Sequence, residues 1–185
     1  SFGGIFEGKT VLVTGHTGFK GGWLSLWLQQ LGAIVVGYSL KPPTEINLFE
    51  IANVSKEMKS IVGDVGDLKR LKEVFKKEEP EIVIHLAGQP IVRLSYKDPI
   101  LTYTTNVIGT ANLLEAVKNT SSVKAVVCIT SDKCYENKSW VWGYRETDRL
   151  GGNDPYSSSK ACAEIVISAF RNSYFNSDQG RKLAL

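Results

Sequence analysis

Short apolar runs alternate along the chain with longer segments of helical period. Thr10-Val-Leu-Val-Thr14 is largely β-branched and carries no charge, the pattern of a strand buried on both faces of a parallel sheet. Glycines follow at once. From Phe19 to Leu31 the residues Trp23, Leu24, Trp27, Leu28 and Leu31 recur at helical spacing, and Gly32 supplies a stop. The pattern then repeats. Ile34 to Tyr38 predicts a second strand and Ile61-Val62 a shorter third, while Leu68, Leu71, Val74 and Phe75 form one face of a helix opened by Asp67. Glu81 to Leu86 predicts the fourth strand and Lys124 to Thr130 the fifth. Asp98-Pro99 opens a long helix running to about Val117, and a second long helix spans Pro155 to Phe170. Strands alternating with helices of this length imply right-handed βαβ crossovers, hence an α/β fold with a doubly wound, mostly parallel sheet covered on both faces.

The length of 185 residues suits one domain with one sizeable core. Leu183-Ala-Leu185 reads as the opening of a further strand, so a truncated polypeptide is expected, with a C-terminal substrate domain missing from the crevice. Apolar runs such as Lys124 to Thr130 stop far short of the roughly 20 residues that cross a bilayer, and no charged-then-apolar leader opens the chain. A cytoplasmic protein without a membrane partner is the expectation. Net charge is only +3, from 22 Lys and Arg against 19 Asp and Glu interspersed along the chain, which argues against nucleic acid as a partner. The three cysteines, Cys128, Cys134 and Cys162, lack CxxC spacing and a nearby histidine pair, so reduced thiols and no metal site are expected.

Candidate chemistry begins where the first strand ends. Thr14-Gly-His-Thr-Gly-Phe-Lys-Gly-Gly22 places Gly15, Gly18 and Gly21 between a buried strand and a helix. Glycine permits the tight turn and lets backbone N–H groups approach a pyrophosphate, whose charge the positive end of the helix starting near Phe19 favours. That context predicts a dinucleotide-binding turn of Rossmann type, lined also by Thr17. Lys20 and His16 can add charge to the phosphates, or be a solvated lysine and a turn histidine. At the end of the second strand, where an acid ordinarily binds the adenosine ribose, the chain reads Gly37-Tyr-Ser-Leu-Lys41. Ser39 can still bond a ribose hydroxyl and Lys41 can meet a 2′-phosphate, so these residues leave NAD or NADP open. Asp64 and Val65 are placed to bracket the adenine, and Leu86, Ala87 and Gly88 close the fourth strand where backbone must run near the cofactor.

Tyr156 and Lys160 stand four apart at the start of the last helix, hence on one face. A phenol is a weak base, and an adjacent ammonium together with the positive nicotinamide ring favours its ionised form. The fifth strand ends Ile129-Thr-Ser-Asp-Lys133, which brings a hydroxyl, a carboxyl and an amine to the ligand-binding edge of the sheet. Ser131 can bond the substrate oxygen that Tyr156 deprotonates. Gln89 and Arg93, after the fourth strand, can meet a sugar or its phosphates.

These motifs, with Gln89-Pro-Ile-Val-Arg-Leu-Ser-Tyr96, Thr130-Ser-Asp-Lys-Cys-Tyr135, Trp140-Val-Trp-Gly-Tyr-Arg-Glu146 and Asp154-Pro-Tyr-Ser-Ser-Ser-Lys160, resemble those of extended short-chain dehydrogenases/reductases. Within the NAD-dependent epimerase/dehydratase family they are most similar to nucleotide-sugar 4,6-dehydratases that act on CDP-glucose, and the similarity spans nearly the whole chain. The resemblance implies tightly held NAD rather than NADP, a Ser131, Tyr156 and Lys160 triad for C4 oxidation, and Asp132 with Lys133 as the dehydration pair. Asp132 would protonate the departing C6 hydroxyl. Related dehydratases of other nucleotide sugars carry a glutamate where Lys133 stands; the lysine takes the C5 proton if neutral, or stabilises an enolate if charged. A homodimer or homotetramer joined through the two long helices is implied too, as is a place in deoxysugar synthesis for lipopolysaccharide O-antigen. A 4-epimerase would need no acid to expel a hydroxyl, and a catalytically silent NAD-binding module would not need Tyr156 with Lys160.

Overall fold

A computed structural model describes residues 2–176 and 183–185. Five parallel strands, β1 (Thr10–Thr14), β2 (Ile34–Ser39), β3 (Lys59–Val62), β4 (Ile82–His85) and β5 (Ala125–Cys128), lie in the order β3-β2-β1-β4-β5. Between them run α1 (Phe19–Gln30), the short α2 (Leu48–Ile51), α3 (Leu68–Glu78), α4 (Val92–Lys97), α5 (Pro99–Tyr103) and α6 (Gly109–Lys118), and α7 (Pro155–Phe170) follows β5. The order reverses beside β1, so the chain leaves β1 towards β2 and returns to β4 on its other edge. That reversal opens a crevice above the carboxyl ends of β1 and β4.

Alternation along the strands assigns each side chain to a face. Leu12, Val36, Tyr38, Val83 and Val126 join Leu71, Phe75, Leu113, Leu114 and Ile167 in one core beneath α3, α6 and α7. Val11, Val13 and Val35 point the other way and meet Leu28 of α1. Val11, Leu12 and Val13 are fully buried, which is why β1 reads as a continuous apolar run.

Helix starts follow their capping residues. Asp67, Asp98 and Asp154 each accept the backbone N–H three residues on, at 2.9 Å, where α3, α5 and α7 begin. The long helix expected from Asp98 to about Val117 is interrupted: a π-helical turn at Thr104–Ile108 joins α5 to α6. The periodicity of α1 is right for Leu28 and Leu24, which meet the core, and wrong for its two tryptophans. Trp23 and Trp27 are more than half exposed, and the helix buries Gly21, Gly22, Ser25 and Leu28 instead. The cause is close packing, since a Cβ on Gly21 would fall 2.1 Å from the Gly15 carbonyl oxygen. Neither α2 nor α4 carries a strong enough period to be anticipated. Ala184 lies parallel to Ala125 across a single bridge, donating to the Lys124 carbonyl at 3.2 Å and accepting from Val126 N–H at 2.7 Å, so residues 183–185 pair beside β5 as their apolar pattern suggests. No helix among the described residues is long and apolar enough to cross a membrane.

Candidate active site

The turn after β1 is built on backbone proximity. Gly15 adopts φ +76°, and a Cβ there would sit 2.8 Å from the Ala87 nitrogen, so no other residue fits both the conformation and the space. Its N–H donates to the Tyr38 carbonyl at 3.0 Å, which ties the turn to β2. Gly18 occupies the N-cap of α1 without a side-chain cap, leaving first-turn amides free to face a ligand anion. Above them opens a cavity of about 500 Å³ bounded by the ends of β1, β2, β4 and β5.

Almost all residues expected to hold a dinucleotide line this cavity: Gly15, Thr17, Gly18, Phe19, Lys20 and Gly21 from the turn, Ser39, Asp64, Val65, and Leu86, Ala87 and Gly88. His16 does not. Its side chain is fully buried, with Nε2 2.7 Å from the Ser60 hydroxyl and the ring edge-on to Phe49. Burial pushes its pKa down to about 4, against a partly offsetting backbone bond to Tyr38, so it brings no charge to a phosphate. It acts as a wedge under the turn, and Gly37 makes room for it: a Cβ there would meet the imidazole at 2.3 Å. At the end of β2, Thr17 Oγ1 lies 2.8 Å from Ser39 Oγ and donates to the Leu40 carbonyl at 2.9 Å. A hydroxyl pair therefore stands where an acid was looked for. Gly63 is a cavity residue that sequence did not single out; its missing Cβ leaves space for the Tyr38 ring, whose hydroxyl donates to the Asp64 carbonyl at 2.9 Å.

Behind the cavity a buried chain of bonds fixes the end of β4. The Thr110 hydroxyl donates to the Asn106 carbonyl at 2.8 Å, so towards His85 it accepts, and Nε2 of His85 carries the ring proton at 3.1 Å. Nδ1 then accepts from the Thr14 hydroxyl at 2.6 Å, and that oxygen accepts Ala87 N–H at 3.1 Å. Burial foremost, then the Lys160 charge, pushes the His85 pKa down to about 3. A second buried set uses the π turn. Asn106 Oδ1 accepts Gln89 N–H at 2.8 Å, while its Nδ2 donates to the Gln89 carbonyl at 3.1 Å and to the Ser159 hydroxyl at 2.9 Å. One widened turn thereby locks the segment after β4 to α7. Asn106 carries no signal in the sequence that would single it out.

Tyr156 and Lys160 line the cavity from the first turns of α7, together with Thr130 from the chain beyond β5. Tyr156 is buried. A Cβ on Gly88 would lie 3.4 Å from Lys160 Nζ, so the ammonium stands directly against the end of β4. Burial lowers the Lys160 pKa, Lys20 adds to the fall and Glu164 opposes it. Ser131, Asp132 and Lys133 follow Thr130 just outside the cavity lining. Ser131 Oγ caps a one-turn 3₁₀ helix (Asp132–Cys134), accepting Lys133 N–H at 3.2 Å and donating to Asp132 Oδ1 at 3.0 Å; Asp132 and Lys133 are exposed at the rim. Two residues expected to touch substrate stand elsewhere. The Gln89 amide turns inward, donating to the Thr102 hydroxyl at 2.8 Å and accepting Ile91 N–H at 2.5 Å, and Arg93 lies exposed on α4 away from the cavity lining. Beyond the rim, Tyr135 stacks on Tyr144 with ring centroids 5.4 Å apart, and Trp140 leans against Tyr144 at 5.8 Å.

Comparison with known proteins places this geometry in a family. The chain is 60% identical over 172 residues to CDP-glucose 4,6-dehydratase of Salmonella typhimurium, covering 93% of this chain and 48% of that protein. It is 32% identical to the dTDP-D-glucose 4,6-dehydratase of Dictyostelium discoideum, over 90% of this chain and 41% of the relative. The chain thus spans about half the length of the curated relatives it matches. Among solved structures it superposes on UDP-glucose 4-epimerase from Brucella ovis in complex with NAD, with TM-score 0.78 and 29% identity over 90% of this chain and 49% of that one. The Thermus thermophilus UDP-glucose 4-epimerase complex with NAD gives TM-score 0.76 at 28% identity, over 89% and 51%. The family model for GDP-mannose 4,6 dehydratase matches residues 12–176, a span that holds the glycine turn, the cavity, Tyr156 and Lys160, and the chain belongs to that family.

Proposed function

We propose that this chain forms the cofactor-binding and catalytic half of an NAD-dependent dehydratase that converts CDP-glucose to CDP-4-dehydro-6-deoxyglucose and water. The observation that carries the proposal is the convergence of the glycine turn, Tyr156, Lys160 and the end of β5 on one cavity, in a chain 60% identical to a CDP-glucose 4,6-dehydratase. The cradle fits the cofactor, because bare glycines at 15 and 21 let the turn pack backbone against backbone and leave the first-turn amides of α1 facing the cavity, where a pyrophosphate is bound by such amides. NAD held there would supply reversible hydride transfer, so the oxidation at C4 is undone by reduction at C6 and, with a proton returned to C5, the net change is loss of water.

Tyr156 takes the proton of the C4 hydroxyl, and the Lys160 ammonium stabilises the phenolate that does so. Ser131 orients the same oxygen. The resulting C4 ketone acidifies the C5–H, which Lys133 removes while Asp132 protonates the departing C6 hydroxyl. Both rim residues are solvent-exposed in this half of the protein, where a substrate arriving from the open side would meet them. Recognition of the nucleobase is assigned to a further domain, since the chain spans about half the length of its relatives. The proposal extends to a cytoplasmic homodimer or homotetramer supplying deoxysugars for lipopolysaccharide O-antigen; exposed Ile100, Leu101, Ile108 and Ile165 on α5, the π turn and α7 support the assembly.

The test is incubation of the complete protein with NAD and CDP-, UDP- or dTDP-glucose. The expected result is a 4-keto-6-deoxy product from CDP-glucose without net NADH. Conversion of the glucosyl group to its C4 epimer would instead establish the epimerase chemistry of the structural neighbours, and accumulation of NADH would establish a simple dehydrogenase.

A further inference from the structure

Lys160 is followed one helical turn later by Glu164, so Tyr156, Lys160 and Glu164 repeat at intervals of four along one side of α7. The Glu164 carboxylate accepts a hydrogen bond from the Thr130 hydroxyl. Thr130 itself lines the cavity, between the last sheet rung, Ile129 N–H to the His85 carbonyl at 2.9 Å, and the 3₁₀ turn that Ser131 caps. The chain leaves the sheet at this point. Thr130 lacks a ladder partner to hold its register, and its side-chain bond crosses directly to the catalytic helix.

We propose that Glu164 is a positioning residue of this site: its carboxylate clamps the Thr130 hydroxyl, fixing the edge that carries Ser131 and Asp132 against α7, and supplies the counter-charge for the Lys160 ammonium. The inference rests on the dehydratase reading for its kinetic readout but not for its structural one. A carboxylate suits both tasks. It accepts from a hydroxyl with a charge-assisted bond, and it offsets the loss of hydration around a half-buried ammonium. The electrostatic surroundings agree. Burial and Lys20 of α1 disfavour the charged form of Lys160, and Glu164 favours it. Besides Tyr156 on the same side of α7, the charges acting on Lys160 are those of Lys20 and Glu164, and Lys160 acts in turn on the neutral His85 of β4; the Glu164 charge also reaches Cys128 of β5 and Cys134 and Tyr135 of the segment after it.

Two variants of the full-length enzyme separate the roles. Glu164→Gln keeps an oxygen for Thr130 and removes the charge; Thr130→Val removes the clamp and keeps the charge. With CDP-glucose in single turnover, Glu164→Gln should move the alkaline limb of the C4-oxidation rate to lower pH, and Glu164→Asp should restore it. Thr130→Val should leave the limb in place and slow the step by about tenfold, the scale of a misplaced reacting geometry. Independently of substrate, the Lys160 ammonium resonance of the lysine-labelled protein should titrate at lower pH in Glu164→Gln than in wild type. A limb and a lysine titration unchanged in Glu164→Gln, a shift that Glu164→Asp fails to restore, or a Thr130→Val rate within twofold of wild type would each overturn the proposal. Absence of product with wild-type enzyme would refute the substrate assignment instead, with the lysine titration still deciding the role of Glu164.

Discussion

Both histidines of the chain are buried in neutral form, and mild acid should therefore destabilise it. His16 is held down to about 4 and His85 to about 3, against 6.5 for an exposed imidazole. A histidine whose folded pKa is depressed takes its proton preferentially in the unfolded chain. Its stabilisation is complete above pH 6.5, falls as pH drops through that value and levels off only below the folded pKa. Lowering the pH from 7 to 5 should cost about 2 kcal/mol per histidine, or about 4 kcal/mol for the pair. That is a large share of the roughly 5–15 kcal/mol by which a domain is stable. Urea unfolding at pH 7, 6 and 5 measures the loss directly, and His85→Asn provides the control. The variant should lose about 1–3 kcal/mol at pH 7 through the broken Thr14 and Thr110 bonds, yet show about half the wild-type slope against pH. A wild-type stability unchanged between pH 7 and 5, or an imidazole resonance of either residue titrating near 6.5 in the folded protein, would refute the reasoning.

The remaining predictions concern the cavity and its chemistry. Lys133→Met should leave C4 oxidation intact and stop water loss, so NADH accumulates in stoichiometric amount; full product formation by that variant would remove Lys133 from the mechanism. Tyr156→Phe should slow C4 oxidation by about a hundredfold or more while NAD affinity, read by tryptophan quenching, stays within a few-fold. Gly21→Ala forces a Cβ to within 2.1 Å of the Gly15 oxygen and should abolish NAD binding in the same titration. Gly63→Ala drives a Cβ into the Tyr38 ring at 2.4 Å, so a loss of stability of about 1–3 kcal/mol in urea is expected alongside weaker cofactor binding.

Much of the site was legible because its residues are dictated by local chemistry. A buried strand running into glycines and then a helix has few uses other than a phosphate turn, and the cavity is lined by the residues assigned to the dinucleotide apart from His16, whereas Ser131, Asp132 and Lys133 stand outside its lining. The His16 assignment failed for a reason that periodicity cannot carry. Whether a turn histidine faces the ligand or the core depends on Gly37 of the neighbouring strand, which leaves the hole that the imidazole fills. Gln89 turned inward for a like reason, since its amide is held by the Thr102 hydroxyl of α5, 13 positions along the chain. On α1 the periodicity places Leu24 and Leu28 correctly but not Trp23 and Trp27, because the helix presents Gly21 to the Gly15 backbone and leaves both indoles outside.

Taken alone, the order of residues determined the alternation of strands and helices, the helix starts at Asp67 and Asp98, the glycine turn and the four-residue spacing of Tyr156 and Lys160, all of them encoded within a few positions of each other. Only the folded arrangement decided that Asn106 bolts the β4 exit to α7, that His85 carries its proton on Nε2, and that Thr130 reaches Glu164. Those bonds join residues 17 to 71 positions apart. Their partners are chosen by how strands and helices stack, a choice that composition and spacing leave open.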